Sequence, residues 1–399
     1  RWESAVVMPA LLEVLADLGL GYLSCERSTP TLSPGELQRL RLATQVRSNL
    51  FGVVYVMDEP SAGLHPADTA ALLRALDRLK AAGNSLFIVE HEPDIINHAD
   101  WIVDVGPGAG FNGGQILYSG KRSGLLHTKD SLTARYLLKK QPAGPPVHRQ
   151  PTGILELRNV TRNNLSAVDL DIPLGLMCSV TGVSGSGKSS LVSQALVELL
   201  TKAFGHAAAK AEEADILQEE GPLTESGVIA GGLEKLKRMV LVDQKAIGRT
   251  PRSNLATYTG LFDNVRKLFA ATPMAKKRKY DAGRFSFNVS KGRCNNCQGE
   301  GFVMVELLFL PSVYSPCPVC NGSRYNAKTL EVTYRDKNIA DVLNLTVDEA
   351  VLFFDGDQSI TNALRTLQEV GLGYLRLGQP ATELSGGEAQ RIKLATELQ

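Results

Sequence analysis

Hydrophobic positions along the chain gather into short runs bounded by glycine, proline or charge. FGVVYVMDEP (51–60) is a run of β-branched and aromatic residues, which predicts a buried parallel strand delivering Asp58 and Glu59 at its C-terminal edge. NSLFIVEHEPDII (84–96) predicts a second strand that closes on His91. SVTGVSGSGKSSLVSQAL (179–196) reads as a short strand, a glycine loop and then a helical pattern. RMVLVDQ (238–244) predicts a strand ending on Gln244, and VMVELLFL (303–310) a strand or hairpin. Two further segments, LSPGELQRLRLAT (32–44) and LSGGEAQRIKLAT (384–396), open helices with serine and glutamate at capping-box spacing.

Those last two segments are copies of one another, 352 positions apart from Leu32 to Leu384. GLGYL at 19–23 recurs at 371–375 with the same offset. Such a repeat is far longer than a solenoid period, so it reads as two homologous halves. QPAGPPVHRQPTG (141–153) lacks any apolar period and reads as the joint between them; the acidic, alanine-rich stretch 205–232 reads as a helical or flexible insertion. The expected organisation is then 1–140 for the end of the first half, 141–153 for the linker and 154–275 for the start of the second half. A metal module at 276–345 and a helical subdomain at 346–399 follow.

Composition excludes several classes. With 43% hydrophobic and 21% charged residues the chain is of soluble globular type. No apolar run is long enough to span a bilayer, and no signal peptide follows Arg1, so the expected compartment is the cytoplasm. Net charge is only +1, yet 212–225 is acidic and 235–293 strongly basic, which suits a polyanionic partner. Four of the six cysteines form two Cys-x-x-Cys pairs, a metal pattern; Cys25 and Cys178 stand apart and are expected to be buried thiols.

Chemistry follows from the motifs. Gly182 to Ser189 fits G-x-x-x-x-G-K-S, a Walker A loop whose backbone N–H groups curl around phosphates. Gly182, Gly185, Ser186, Gly187 and Ser190 complete the cradle; Lys188 would reach the β- and γ-phosphates and Ser189 would hold Mg2+. Asp58 would bind Mg2+ through water and Glu59 would orient or deprotonate the attacking water, as in a Walker B. At this spacing His91 matches the switch histidine, and Gln244 the Q-loop position, of ABC ATPases. The two LS[PG]GE segments match the ABC signature, where Ser33 and Gly35, or Ser385, Gly386 and Gly387, would hold a γ-phosphate at a helix N-terminus. The first copy has Pro34 in place of Gly386, and proline has no N–H, so that site is expected to hold its phosphate less tightly.

Residues 294–320 supply Cys294 and Cys297, a 19-residue spacer, then Cys317 and Cys320. Four thiolates at this spacing fit tetrahedral structural Zn2+ and leave no open position for a catalytic water.

The blocks DQKAIGRTPRSNLATYTGLFDNVRKLFA (243–270), GRFSFNVSKGRCNNCQGEG (283–301), FLPSVYSPCPVCNGSRYNAKTLEV (309–332) and GLGYLRLGQPATELSGGEAQRIKLATEL (371–398) resemble UvrA, the dimeric ATPase of excinuclease ABC that finds lesions for bacterial nucleotide excision repair. The resemblance covers nearly the whole chain. It implies an α/β fold of tandem ABC-type P-loop ATPase halves, each a mixed sheet with flanking helices, with an inserted zinc module and helical signature subdomains. It implies ATP, Mg2+ and Zn2+ as cofactors, a homodimer, and duplex DNA contacted through Arg249, Arg252, Lys276, Lys277, Arg278, Lys279, Arg284, Lys291 and Arg293. It also implies composite sites, with Lys188 sharing one with Ser33, while Asp58, Glu59 and His91 share the other with Ser385.

TPTLSPGELQRLRLATQ (29–45), followed by VYVMDEPSAGLHPAD (54–68), is more similar to the shorter UvrA-like paralogues. Those lack the UvrB-binding domain and are associated with tolerance of DNA-binding drugs. A transporter-type ABC ATPase would share the P-loop and signature but not the zinc insertion, and a zinc-ribbon interaction protein would share only the cysteines. Each Walker A is separated from its own Walker B, so this piece alone is expected to hydrolyse no ATP.

Overall fold

The computed structural model describes residues 12–29, 32, 34–47, 50–138, 149–205, 226–243, 247–248, 250–307 and 310–399. Ser33, Gln244 and Arg249 lie outside the described residues. The chain divides into two compact units, 1–107 with 115–239, and 108–114 with 240–399.

In the first unit, helix α1 (Pro34–Arg47) precedes strand β1 (Val54–Asp58). Helix α2 (Pro66–Ala81) then crosses to strand β2 (Ser85–Val89), which pairs parallel to β1 with Asp58 opposite Val89. Proline in its first turn suits α2, whose N-cap His65 accepts from the Ala67 N–H through Nδ1 at 3.1 Å. The 3.6-residue period of α2 puts Leu72, Ala75, Leu76 and Leu79 on one buried face, packed with Leu18, Leu42, Tyr55 and Ile95. Burying side chains of this size contributes about 1.5–3 kcal/mol each.

One expectation fails here. The parallel pair is buried on the Tyr55 face only, and its other face carries Val54, Val56, Phe87 and Val89 at 58–75% exposure. No described residue packs over that face.

Strands β3 (Ile102–Gly106) and β4 (Gln115–Gly120) form a separate antiparallel pair. Beyond the 141–153 stretch, β5 (Gly153–Arg162), β6 (Leu165–Leu174) and β7 (Ser226–Gly231) make an antiparallel sheet in the order β6-β5-β7. Leu157, Val160 and Leu165 of this sheet pack on Ala195, in the π-helical turn Ser190–Leu196 that continues as α3 (Val197–Ala203).

Three more expectations are corrected. Residues 226–231, read as part of a helical or flexible insertion, are strand β7, because a short GVIAG run finds the free edge of β5. Neither 179–182 nor 238–243 is a strand; neither is paired with a strand among the described residues, and a strand needs a neighbour to complete a ladder. Cys25 and Cys178 are exposed, Cys25 in a turn and Cys178 in irregular backbone just before 179–182, beside the fully exposed Met177.

The second unit is mainly helical. Helices α4 (Leu261–Ala271), α5 (Ile339–Asn344), α6 (Val347–Phe353), α7 (Gln358–Glu369) and α8 (Gly386–Leu398) surround one core that includes Phe262, Phe269, Phe285, Phe287, Leu364 and Ile392. Asn338, Thr346 and Ser385 each cap their helix with a complete capping box, which fixes the starts of α5, α6 and α8. An antiparallel hairpin of β8 (Phe302–Leu307) and β9 (Leu310–Pro316) projects between the two cysteine pairs, as the apolar run at 303–310 predicts.

Candidate nucleotide and metal sites

The Walker A loop is formed by residues that favour positive φ. Gly182, Gly185 and Gly187 lie at φ 149°, 77° and 98°. Gly185 is doubly constrained, since a Cβ there would also overlap the Tyr22 ring. The Lys188 Nζ donates to the Gly182 and Val183 carbonyls at 2.7 and 2.8 Å, so the ammonium sits at the mouth of the loop. Asn164 steadies the same turn by donating to the Gly185 carbonyl at 3.2 Å. Ser189 and Ser190 begin the helix behind the loop, and Asn163 Nδ2 donates to Ser190 Oγ at 3.0 Å.

Two residues that sequence reasoning missed touch this loop. Asp68, in the first turn of α2, accepts from the Ser184 N–H at 3.1 Å and the Ser184 hydroxyl at 2.6 Å. Burial works against the charged form of Asp68, but the Ser184 hydrogen bonds, the Arg39 charge and the His65 backbone together outweigh it and lower its pKa below the usual value. Tyr22 sets its ring against Gly185 and donates its hydroxyl to Glu36 Oε1 at 2.6 Å. Asp68 follows the DEP segment by several residues, and Tyr22 stands in the repeated GLGYL block, which was the available signal for it.

The Walker B carboxylates sit at the end of β1, both exposed. Glu59 is held at φ 45°, its N–H donating to the Val89 carbonyl at 2.9 Å and its carbonyl accepting from Gln38 at 3.2 Å. His91 Nδ1 lies 3.8 Å from Glu59 Oε1. Between them Glu90 shapes the turn, accepting from the N–H groups of Ser61, His91 and Glu92 at 2.8–3.3 Å. The parallel register thus brings Asp58, Glu59 and His91 to one strand-end edge, where a nucleotide's Mg2+ and attacking water fit chemically.

The signature helices repeat in three dimensions what they repeat in sequence. Tyr374 donates to Glu388 Oε1 at 2.6 Å, as Tyr22 does to Glu36. Arg391 donates to the Val370 and Gly371 carbonyls at 3.3 and 3.1 Å, and Arg39 to those of Leu18 and Gly19 at 3.0 and 3.5 Å. In the second copy Ser385 Oγ accepts from the Glu388 N–H at 3.3 Å, while Gly386 and Gly387 have no atom near a Cβ position and are exposed. In the first copy Gly35 is buried beneath Leu64.

Cys294, Cys297, Cys317 and Cys320 bring their sulfurs within 4.8 Å of one another. Three are buried, and the Cys297 and Cys320 sulfurs are 3.6 Å apart. Gly299, at φ 89°, makes the turn after the first pair; a Cβ there would run into the Phe287 carbonyl. Burial would raise the Cys317 thiol, but the Asn296 amide and the N–H groups of Cys320 and Val319 bring it down to about 6. Burial pushes Cys297 and Cys320 up instead. Four converging thiols, one already favouring thiolate and ringed by N–H donors, fit the donor set of a structural zinc.

The basic residues surround this module unevenly. Lys276, Lys277, Lys279 and Lys291 are exposed. Arg278 pairs with Glu331 at 2.5 Å, Arg252 lies 3.3 Å from Glu300, and the Arg284 guanidinium covers the Tyr280 ring at 4.4 Å. Arg293 donates to the Asn288 carbonyl at 3.5 Å.

Walker A and B segments, paired signature helices and an inserted four-cysteine module together define a segment of a tandem ABC-type P-loop ATPase. This segment belongs to the UvrA family. It is 68% identical to UvrABC system protein A of Paucimonas lemoignei over 325 residues, 80% of this chain and 47% of that protein. It is 51% identical to UvrABC system protein A of Mycobacterium leprae across 100% of this chain and 41% of that one. The crystal structure of UvrA2 from Deinococcus radiodurans superposes with a TM-score of 0.90 at 68% identity, over 97% of this chain and 45% of that one. The chain therefore spans less than half the length of these relatives. No protein-family model matches it.

Proposed function

We propose that this chain is part of an ATP-dependent DNA-damage sensor of nucleotide excision repair, binding nucleotide at composite ABC sites and duplex DNA through its zinc module. The observation that carries the reading is the clasp of the Walker A loop by Asp68 and Tyr22, which flank the first signature helix and the segment after Walker B. A P-loop touched by the other half's signature region is what a composite site requires. In one site Lys188, Ser189, Ser190 and the loop glycines bind ATP and Mg2+, facing Ser33 and Gly35, with Gln244 sensing the metal. Elsewhere Asp58 holds Mg2+, Glu59 activates water and His91 contacts the γ-phosphate, and Ser385, Gly386 and Gly387 present the second signature. Zinc on the four cysteines shapes the DNA-contact module.

Lys276, Lys277, Lys279 and Lys291 are the exposed phosphate contacts, with Arg249, Arg252, Arg278, Arg284 and Arg293 around them. Contacts of this kind report the backbone and its deformability, which suits a sensor of lesions and not of sequence. The whole protein acts as a cytoplasmic homodimer. No helix among the described residues is long and apolar enough to cross a membrane.

The test is a salt titration of duplex binding by the full-length protein, with and without a lesion, beside ATPase measurements on Lys188→Ala. Binding that weakens steeply with salt and turnover that falls with Lys188→Ala are expected. No duplex binding at any salt would overturn the reading. A second reading is favoured by the 68% identity to UvrA2 and the likeness to shorter paralogues: the same ATPase serving tolerance of DNA-binding drugs without UvrB. Co-purification with UvrB separates the two.

A further inference from the structure

Arg324 lies four residues beyond Cys320, is only 4% exposed, and has its backbone at φ 71°, a left-handed conformation that few side chains adopt. Its main chain and side chain reach in different directions. The carbonyl accepts from the Cys294 N–H at 2.8 Å, and the N–H donates to the Cys320 sulfur, so the backbone joins both cysteine pairs. The guanidinium donates through Nη1 to the Pro251 carbonyl at 2.9 Å and through Nη2 to the Gly378 carbonyl at 3.2 Å. It stacks on Phe287, 5.1 Å from the ring centroid.

Gly378 begins the short stretch that leads to Ser385 and helix α8, and Ala381 within it donates to the Ser253 carbonyl at 2.7 Å. The guanidinium therefore fastens two segments flanking the zinc module to the lead-in of the second signature helix. Burying a cation whose hydrogen-bond partners are main-chain carbonyls is a poor way to add stability, since an apolar side chain fills such space at less desolvation cost. What a planar fork supplies there is fixed geometry between separate segments. Its burial also keeps it from reaching a phosphate itself.

We propose that Arg324 is a positioning residue that transmits displacement of the zinc module to the second signature helix, and so couples DNA to the nucleotide site facing Ser385. The proposal rests on the function read above.

The test uses the full-length protein with Arg324→Gln and Arg324→Lys, measuring zinc content, melting, duplex affinity and ATPase with and without lesion-bearing duplex. Zinc content should stay at the wild-type level, with duplex affinity and basal turnover within about twofold, while the DNA-dependent change in turnover shrinks about fivefold in Arg324→Gln and recovers in part in Arg324→Lys. A folded, zinc-loaded Arg324→Gln with the wild-type DNA response overturns the proposal. So does an equal loss of basal and DNA-dependent turnover, which marks a merely structural role.

If neither variant folds, hydrogen exchange on the wild type decides. Zinc chelation should deprotect 376–389 together with 287–325, and deprotection confined to 287–325 overturns the coupling. A wild type that binds no duplex, or whose turnover ignores it, overturns the proposed function as well. That result is distinct from a responsive wild type matched by a responsive variant.

Discussion

Asp68 and Ser184, 116 positions apart, are joined by two hydrogen bonds, at 3.1 Å to the Ser184 N–H and 2.6 Å to its hydroxyl. The pair ties α2, the helix after the Walker B strand, to the Walker A loop of the second half. Asp68→Ala is expected to loosen that loop and weaken nucleotide binding at Lys188 about threefold to tenfold, with Ser184→Ala acting in the same direction. The figure is roughly 1 kcal/mol for a charge-assisted pair, discounted because Asp68 is partly open to solvent. Titration with a fluorescent ATP analogue on the full-length protein checks it; a double mutant whose loss equals the sum of the single losses would show the two residues uncoupled.

The same pair sets an acid limit. The folded-state pKa of Asp68 is lowered, so its contribution is complete above the unfolded value and is lost as pH falls through the lowered one. The difference in melting temperature between wild type and Asp68→Asn should therefore be constant near neutrality. It should close only on acidification below the ordinary carboxylate range. A gap that instead closes between pH 6 and 8, where this carboxylate does not titrate, would assign it to other groups.

Tyr22 and Tyr374 give an alkaline counterpart. Each donates a 2.6 Å hydrogen bond to the glutamate of its own signature helix, and burial followed by that carboxylate raises both hydroxyls, Tyr22 from 10.0 to about 12. A raised pKa means the contribution is complete below the unfolded value and disappears as pH climbs through the folded one. Tyr22→Phe should cost about 1 kcal/mol at neutral pH, and that deficit should vanish between pH 10 and 12. Urea unfolding at several pH values reads it directly, and a deficit that persists at the alkaline end would show that packing on Gly185, not the hydroxyl, is what Tyr22 provides.

Zinc binding should be sensitive to one glycine as well as to the cysteines. Gly299 occupies φ 89°, and a Cβ there would collide with the Phe287 carbonyl, a main-chain atom that cannot swing aside. Gly299→Ala is expected to weaken zinc retention against a competing chelator by about tenfold, from backbone strain of roughly 1–2 kcal/mol. Cys317→Ser should abolish retention. Wild-type retention by Gly299→Ala, measured with a metallochromic dye, would mean that the turn relaxes freely.

How far the sequence led can be seen in the strands. β1, β2 and the β8–β9 hairpin were legible, because each carries its apolar run and its partner within the chain. The runs at 179–182 and 238–243 have the same pattern but are not strands, since a ladder needs a neighbour and periodicity does not name one. Loop geometry was legible wherever spacing fixes it, as in the glycine turn from Gly182 to Gly187 and the clustering of the four cysteines. Asp68 and Arg324 were not, because a lone acid on a helix and an arginine past a cysteine pair acquire meaning only from partners remote in sequence. Ser33, Gln244 and Arg249 lie outside the described residues.

The two signature helices differ at one backbone donor. α8 starts at Gly386 behind the Ser385 cap, whereas α1 starts at Pro34, whose nitrogen carries no hydrogen. An anion at a helix N-terminus is held by the free N–H groups of the first turn, so removing one donor weakens that grip whatever the side chains do. Around this difference the copies match, with Tyr22–Glu36 and Arg39 in the first where Tyr374–Glu388 and Arg391 stand in the second. Pro34→Gly should therefore tighten ATP at the Lys188 site about tenfold to a hundredfold, the value of one hydrogen bond to a charged group, and leave the Ser385 site unchanged. Gly386→Pro should produce the converse asymmetry. Equilibrium binding of a non-hydrolysable ATP analogue to the full-length protein, with and without Lys188→Ala to silence that site, separates the two sites, and equal affinities before and after Pro34→Gly would show that the missing N–H is not part of the phosphate grip.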